Sequence, residues 1–348
     1  MDGASDQVAG RNRTIAAWLL AVGAMVVVMV VVGGLTRLTH SGLSMVEWRP
    51  VTGWLPPLSE AEWAAAFAAY RRYPEFRLLN PDMTLAGYKS IFWLEYLHRL
   101  WGRLIGLAFA VPLAVFLWRG WLDRALKARL MVLLGLGALQ GGLGWYMVAS
   151  GLADRPDVSP LRLALHLGMA LVILGLLLWT ALELAWPRPR RAADPGTRRL
   201  AGLVAAMVFI TVLSGGFVAG LDAGFIFNSF PLMGGRFIPE GMFETMPAYL
   251  DPFENPTTAQ FNHRRLAELT VTVVAALWLR IRRADVSSRA RRAAHTVLGI
   301  AVAQAGLGIA TLLWIVPVGL ASLHQAMAVG LFAAALWAAY EIGETPAR

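Results

Sequence analysis

The chain has 348 residues, of which 57% are hydrophobic and only 15% are charged. Soluble domains carry about 25% charged residues, so this composition is typical of an integral membrane protein. The formal net charge of +9 does not indicate a nucleic-acid partner, because the basic residues cluster in short links between apolar segments. Cysteine is absent, which excludes a disulfide framework, a thiolate metal site and a cysteine nucleophile.

Eight apolar segments are long enough, at roughly 20 residues each, to cross the hydrocarbon core of a membrane. They are predicted as transmembrane helices at residues 14–36, 93–118, 129–149, 160–185, 199–220, 260–280, 293–315 and 318–340. The first is interpreted as an uncleaved span, since its apolar core is too long for a signal peptide and lacks a small-residue cleavage site. The arginine-rich links fall on one side, which predicts cytoplasmic termini and a multi-pass protein of the cell (inner) membrane.

Four landmarks recur in the same order in both halves, which indicates an internal repeat. The segment at 31–44 corresponds to 213–226, 95–99 to 260–264, 139–144 to 303–308, and 160–170 to 317–327. We therefore predict an all-α membrane protein of two tandem four-helix bundles, with a pseudo-twofold axis along the membrane normal. The predicted halves are residues 1–190 and 191–348.

Two long links, residues 37–92 and 221–259, are rich in proline and aromatic residues and are predicted on the outer side. In the first, Ser59 and Glu62 form a capping-box pattern, which predicts the start of a short helix. Its apolar face would consist of Trp63, Phe67 and Tyr70. This helix is interpreted either as a lid or as a helix packed on the bundle.

Four of the six histidines occupy the repeat landmarks, six or seven residues from the outer end of their spans. At a rise of 1.5 Å per residue they share one depth, roughly 10 Å inside. Facing imidazoles in a four-helix bundle can bind a haem iron from both faces. We predict two haem sites toward the outer side, His98 with His166 and His263 with His324. For any single histidine, a hydrogen-bonded helix contact is the alternative.

Other metals fit these histidines less well. Zinc needs three or four converging ligands, and a di-iron carboxylate site needs two Glu-x-x-His motifs. Only Glu95 and His98 provide such a motif. His40 and His295 have no repeat partner and are interpreted as loop or helix-end residues.

Arginines and glycines accompany the histidines in both halves. Arg99, Arg103 and Arg264 are predicted to pair with haem propionates, because guanidinium groups bind carboxylates in a bidentate manner. Arg265 is equally well explained by snorkelling to the membrane interface. The glycines at 33–34, 215–216 and in "QGGLG" and "QAGLG" would permit either close helix packing or a flat macrocycle.

The halves differ three residues before their first histidine, where Glu95 corresponds to Gln260. Residues i and i+3 share a helix face, so Glu95 should lie on the side of His98. A buried carboxyl group there could act as a catalytic acid or base, whereas an amide could not. The first site is therefore predicted to be reactive and the second to carry electrons.

The segments "GGLTRLTHSGLSMVEWRPVTGWLPPLSEAEW", "FWLEYLHRLWGRLIG" and "LQGGLGWYMVASGL", with the spaced histidines, resemble haem A synthase over nearly the whole chain. The resemblance implies a membrane oxidoreductase that oxidises the C8 methyl group of haem O to a formyl group, by successive hydroxylations, to give haem A for terminal oxidases. It implies haem O as substrate in the N-terminal half and a haem b cofactor in the C-terminal half.

Within that family, Glu95 matches the glutamate of the Glu-x-x-His-Arg motif, and the four histidines match the haem ligands. Many members have a cysteine pair in the first outer loop, so its absence here points to the cysteine-free bacterial and mitochondrial-type subgroup. A haem O synthase, a farnesyltransferase, is implied as a supplying partner.

The residues by themselves are also compatible with two other functions. A di-haem cytochrome of the quinol oxidoreductase type would pass electrons through two equivalent haems, although haems at one depth suit transfer across a membrane poorly. A haem transporter or chaperone would need an exchangeable site but no acid.

Overall fold

The computed structural model describes residues 2–49, 52–153, 156–186 and 193–343, with side chains from residue 6 onward. Over these ranges the chain is helical and forms no β-strand. The predicted boundary between residues 190 and 191 lies outside the described ranges and remains a prediction.

Eight of the helices in the described ranges have 25 or more residues. They are α1 (Asp2–Leu38), α4 (Leu85–Trp118), α5 (Arg124–Gly151), α6 (Pro160–Ala185), α7 (Pro195–Gly220), α9 (Pro256–Arg283), α10 (Ser288–Leu313) and α11 (Val318–Ile342). The three short helices are α2 (Glu60–Tyr70), α3 (Pro74–Leu79) and α8 (Asp251–Glu254).

Seven of the eight long helices, all except α9, are long and apolar enough to cross a membrane. The chain is therefore an all-helical, multi-pass membrane protein. Helix α9 is as long as its neighbours but more polar, because its first half carries Gln260, His263 and Arg264 and its last turn three arginines. Polar side chains in such helices usually mark function. That α9 forms the eighth span remains a prediction.

Most long helices begin where the sequence provides a side-chain cap for the first backbone N–H groups. The N-caps with such a hydrogen bond are Thr84, Asp123, Asp194, Asn255 and Ser287. Helix α4 consequently begins at Leu85, eight residues before the predicted span. Helix α10 ends at Leu313 rather than 315, because Ile315 and Val316 have φ angles of +57° and +53° that a right-handed helix does not allow.

The described chain divides into two compact units, Val28–Ala170 and Met1–Val27 with Leu171–Arg348. In the first unit, α2 and α3 pack on the first turns of α4. A buried aromatic cluster joins them, formed by Trp63, Tyr70, Phe76, Tyr88, Phe92 and Tyr96. The predicted capping box is confirmed, since Ser59 Oγ accepts from Glu62 N and Glu62 Oε2 accepts from Ser59 N, both at 3.2 Å.

In the second unit, α11 packs against α7 and α10, and α9 packs against both α7 and α10. Asn255 positions the start of α9: its Oδ1 accepts from Thr257 N at 2.9 Å, and its Nδ2 donates to Gly241 O at 2.8 Å. His263 lies two turns further along α9, beside Ser214 of α7 and His324 of α11.

Candidate functional site

His263 of α9 and His324 of α11 face each other in the second unit. Their ring centres are 6.5 Å apart and their ring planes are nearly perpendicular, at 89°. A metal bound to one nitrogen of each ring at about 2 Å would hold the ring centres roughly 6 Å apart. The observed separation is close to this value, so His263 and His324 could hold one metal ion between them.

The Nδ1 atom of His263 has a defined partner on α7. Ser214 Oγ lies 2.8 Å from it and donates its own proton to Thr211 O at 2.7 Å. The serine oxygen can then only accept from the imidazole, which places the imidazole proton on Nδ1. The other nitrogen, Nε2, is left with a free lone pair, as metal binding requires.

In the first unit, His98 lies on α4 and His166 on α6, at the positions that correspond to His263 and His324 in the sequence repeat. Gln140 donates to His166 O at 3.0 Å, as Gln304 donates to His324 O at 3.0 Å in the second unit. The Nδ1 atoms of both His98 and His166 are buried and have no hydrogen-bond partner among the described residues. Each pair therefore has a glutamine that donates to the backbone of its second histidine, but the surroundings of the Nδ1 atoms differ.

Each of these four imidazoles lies directly against a glycine of a neighbouring helix. A Cβ atom on that glycine would lie 2.8 to 3.1 Å from the imidazole Cε1, closer than side chains normally approach. The contacts are Gly33 with His98, Gly144 with His166, Gly215 with His263, and Gly308 with His324. These glycines make room for the imidazole ring itself. The sequence had suggested close helix packing or space for a flat macrocycle instead.

Glu95 is 3% exposed, and both of its carboxylate oxygens are hydrogen-bonded. Oε2 accepts from Ser44 Oγ and Met45 N, each at 2.7 Å. Oε1 accepts from Arg99 Nε at 3.0 Å, and the same guanidinium donates to the carbonyls of Met45 and Glu47. Glu95 and Arg99 together hold the loop after α1, an arrangement we call the first clamp.

The second unit has a matching clamp on the loop after α7. Gln260 Nε2 donates to Phe227 O at 3.2 Å, and Arg264 donates to Phe227 O at 2.7 Å and to Ser229 O at 2.8 Å. Both clamps thus use residues i and i+4 of the helix that carries a histidine. The first clamp contains a buried carboxylate, whereas the second contains an amide.

The remaining predicted residues lie around the clamps or away from the histidine pairs. Arg103 donates to Arg49 O at 2.8 Å, and Arg265 forms an ion pair with Glu268 at 2.8 Å. His40 follows the end of α1, 3.3 Å from Arg37. His295, in the second turn of α10, lies 2.7 Å from Arg291 O. The structure brings neither of these two histidines into a pair.

Glu75 of α3 is a buried acid that no sequence pattern marks. It is 3% exposed, and its Oε2 has no hydrogen-bond partner among the described residues. Burial raises the pKa of this carboxyl to about 7; a hydrogen bond with Tyr70 and the charge of Arg37 lower it, and the charges of Glu95 and Asp157 raise it further.

We expect Glu75→Gln to stabilise the protein above neutral pH. Because the folded pKa exceeds the ordinary value, the folded state loses stability as pH rises from about 4.5 to 7, reaching a cost on the order of 3 kcal/mol above pH 7. Thermal unfolding of purified protein at pH 5 and pH 8 measures this. The control is Glu60→Gln, an exposed carboxylate on α2. A pH dependence equal to that of the wild type would contradict the prediction.

Fold and site together define a multi-pass helical membrane protein with two histidine pairs, each beside an arginine clamp. The family model described as cytochrome oxidase assembly protein, COX15-CtaA, matches residues 16–336. The chain therefore belongs to the COX15-CtaA family.

Three of the relatives illustrate a similarity that extends over almost the whole chain. Heme A synthase COX15 of Bos taurus is 48% identical over 344 residues, which cover 96% of this chain and 83% of the relative. Heme A synthase of Nitrosospira multiformis is 48% identical, covering 97% of this chain and 96% of the relative. Heme A synthase COX15 of Homo sapiens is 46% identical, and the match covers 96% of this chain and 84% of the relative.

Proposed function

We propose that this chain is a haem A synthase, an oxidoreductase that converts the C8 methyl group of haem O into the formyl group of haem A. The observation that carries the proposal is the difference between two otherwise matching sites: only the first has a buried carboxylate, Glu95, one turn from its histidine. The names of the relatives at 46–48% identity support the same reaction.

The second pair, His263 and His324, is the proposed binding site for a haem b cofactor. Its support is the ring separation of 6.5 Å and the proton assigned to His263 Nδ1. Bound haem b would supply one-electron transfer between the reacting site and an acceptor. Arg264 places a fixed positive charge one residue from His263, suited to a propionate.

The first pair, His98 and His166, is the proposed binding site for haem O. Arg99 and Arg103 would place positive charge near its propionates while they hold the loop carbonyls. Each hydroxylation removes electrons and protons from the methyl carbon, so a nearby proton acceptor is needed. Glu95 would take up a proton from attacking water or balance positive charge on that carbon.

We further propose that α9 is the eighth span and that residues 1–190 and 191–348 are tandem four-helix repeats. The recurrence of the clamp and of two glycine–imidazole contacts in each half supports this. The arginine-rich links support cytoplasmic termini, an inner-membrane location and haem sites toward the outer side. A haem O synthase would supply the substrate.

Supplying haem O to the purified protein tests the function. The haems are extracted after incubation and separated by chromatography into haems B, O and A. Formation of haem A, with haem B unchanged, is the expected result. Recovery of only unaltered haems B and O, with electron transfer intact, would favour the di-haem cytochrome.

A further inference from the structure

We propose that hydrogen bonding at Nδ1 makes the second histidine pair a permanent haem site and leaves the first pair exchangeable, with Ser214 as the positioning residue. This inference rests on the proposed function, in which one haem stays and the other enters as substrate and leaves as product. Its basis is a polar network that is present in one repeat and replaced by apolar residues in the other.

The network joins α7 to α9 in the second unit. Thr270 Oγ1 and Thr211 Oγ1 are 2.7 Å apart, and Thr211 Oγ1 also donates to Met207 O at 2.8 Å. One turn along α7, Ser214 donates to Thr211 O and accepts from His263 Nδ1. The imidazole of His263 is therefore fixed in both its tautomer and its orientation.

Within the described part of the first repeat, apolar residues stand where this network would be. Aligned on the glycines that contact the histidines, Ser214 corresponds to Val32 and Thr211 to Met29; aligned on the histidines, Thr270 corresponds to Ile105. Valine and isoleucine side chains form no hydrogen bonds, and the methionine sulfur is only a weak acceptor. In agreement with this, His98 Nδ1 is buried and has no partner among the residues that the structure describes.

The other histidine of each pair shows the same difference. Gln304 Nε2 lies 3.1 Å from His324 Nδ1 and 3.4 Å from its Nε2, whereas Gln140 approaches the ring of His166 only at Nε2, at 3.5 Å. Both imidazoles of the second pair thus have a polar neighbour at Nδ1.

A hydrogen bond at Nδ1 orients a metal-binding histidine and makes it more basic, and its loss typically costs 10–100-fold in metal affinity. A resident electron carrier gains from that affinity, because it must stay bound through many turnovers. A substrate site gains from its absence, because the product haem must leave. Ser214 and Val32 would therefore set the residence time of haem in the two sites.

The test exchanges the two residues in the purified full-length protein. Ser214→Val should release haem B to excess apomyoglobin about 10–100-fold faster than the wild type. It should also raise the reduction potential of that haem, because a less basic imidazole stabilises the ferric state less. Ser214→Thr keeps the hydroxyl group and should behave as the wild type. Val32→Ser should slow the release of haem O from the first site.

Unchanged release and potential in Ser214→Val, in protein that still makes haem A, would overturn the inference and leave the proposed function intact. A wild-type protein that makes no haem A would instead overturn the proposed function. Should Ser214→Val fail to fold, Val32→Ser decides, since it leaves the second pair untouched. Haem O release as fast as from the wild type would then overturn the inference.

Discussion

Replacing Glu95 with glutamine should lower the rate of haem A formation by about 10²- to 10⁴-fold, the usual contribution of a general acid or base. The loop after α1 should stay held by Arg99, because its guanidinium donates directly to Met45 O and Glu47 O, as Arg264 donates to the loop after α7. The measurement is single-turnover conversion of haem O, with haem B content determined on the same sample. Conversion at the wild-type rate would show that Glu95 is not catalytic.

Gln260→Glu is the matched control, because it places the carboxylate at the equivalent position of the other repeat. It should leave haem O conversion within about threefold of the wild type if the acid acts only in the first site. The thermal unfolding midpoint of Glu95→Gln is measured as well. A midpoint near that of the wild type would show that this substitution disturbs the chemistry rather than the clamp. Loss of haem A together with a large fall in that midpoint would instead assign Glu95 to the clamp alone.

Replacing His263 with leucine should lower the haem B content of the purified protein at least about tenfold. Leucine cannot bind iron, and removing a ligand costs more affinity than removing a residue that only orients it, which typically costs 10–100-fold. Leucine has a similar volume, so packing against Gly215 should be largely preserved. His98→Leu should keep its haem B and lose haem O conversion. Pyridine haemochrome spectra and chromatography of the extracted haems measure both quantities.

The opposite pattern would reverse the roles of the two pairs. In that case His98→Leu would lose haem B, and His263→Leu would retain it. Equal loss of haem B in both variants would mean that each pair holds a resident haem, as in a di-haem cytochrome. His295→Leu, which changes a histidine outside both pairs, should leave haem content unchanged and serves as the control for substitution itself.

Much of the fold could be predicted from the sequence because its determinants are local. Apolar runs of roughly 20 residues define membrane helices by length alone. The capping box at Ser59 and Glu62 was predicted correctly, since its two hydrogen bonds join residues three apart. The repeat supplied two copies of one histidine spacing, from which His263 and His324 were predicted as a pair; their ring centres are 6.5 Å apart in the structure.

The orientation of individual side chains depended on contacts between residues far apart in the chain. Glu95 accepts a hydrogen bond from Ser44, 51 residues away, so its place in a clamp could not be seen from the helix face alone. The burial of Glu75 follows from the packing of α3 against an aromatic cluster contributed by α2 and α4. No local pattern specifies either environment.

The sequence by itself determined an all-helical membrane protein, its repeated landmarks and the difference between Glu95 and Gln260 at equivalent positions. Tertiary structure alone decided that glycines contact the imidazoles and that Ser214 holds His263 at 2.8 Å, while His98 Nδ1 has no such partner among the described residues. The reason is physical. Apolar length and helix periodicity act along the chain, whereas hydrogen bonds at an imidazole form only where packing brings another helix within about 3 Å.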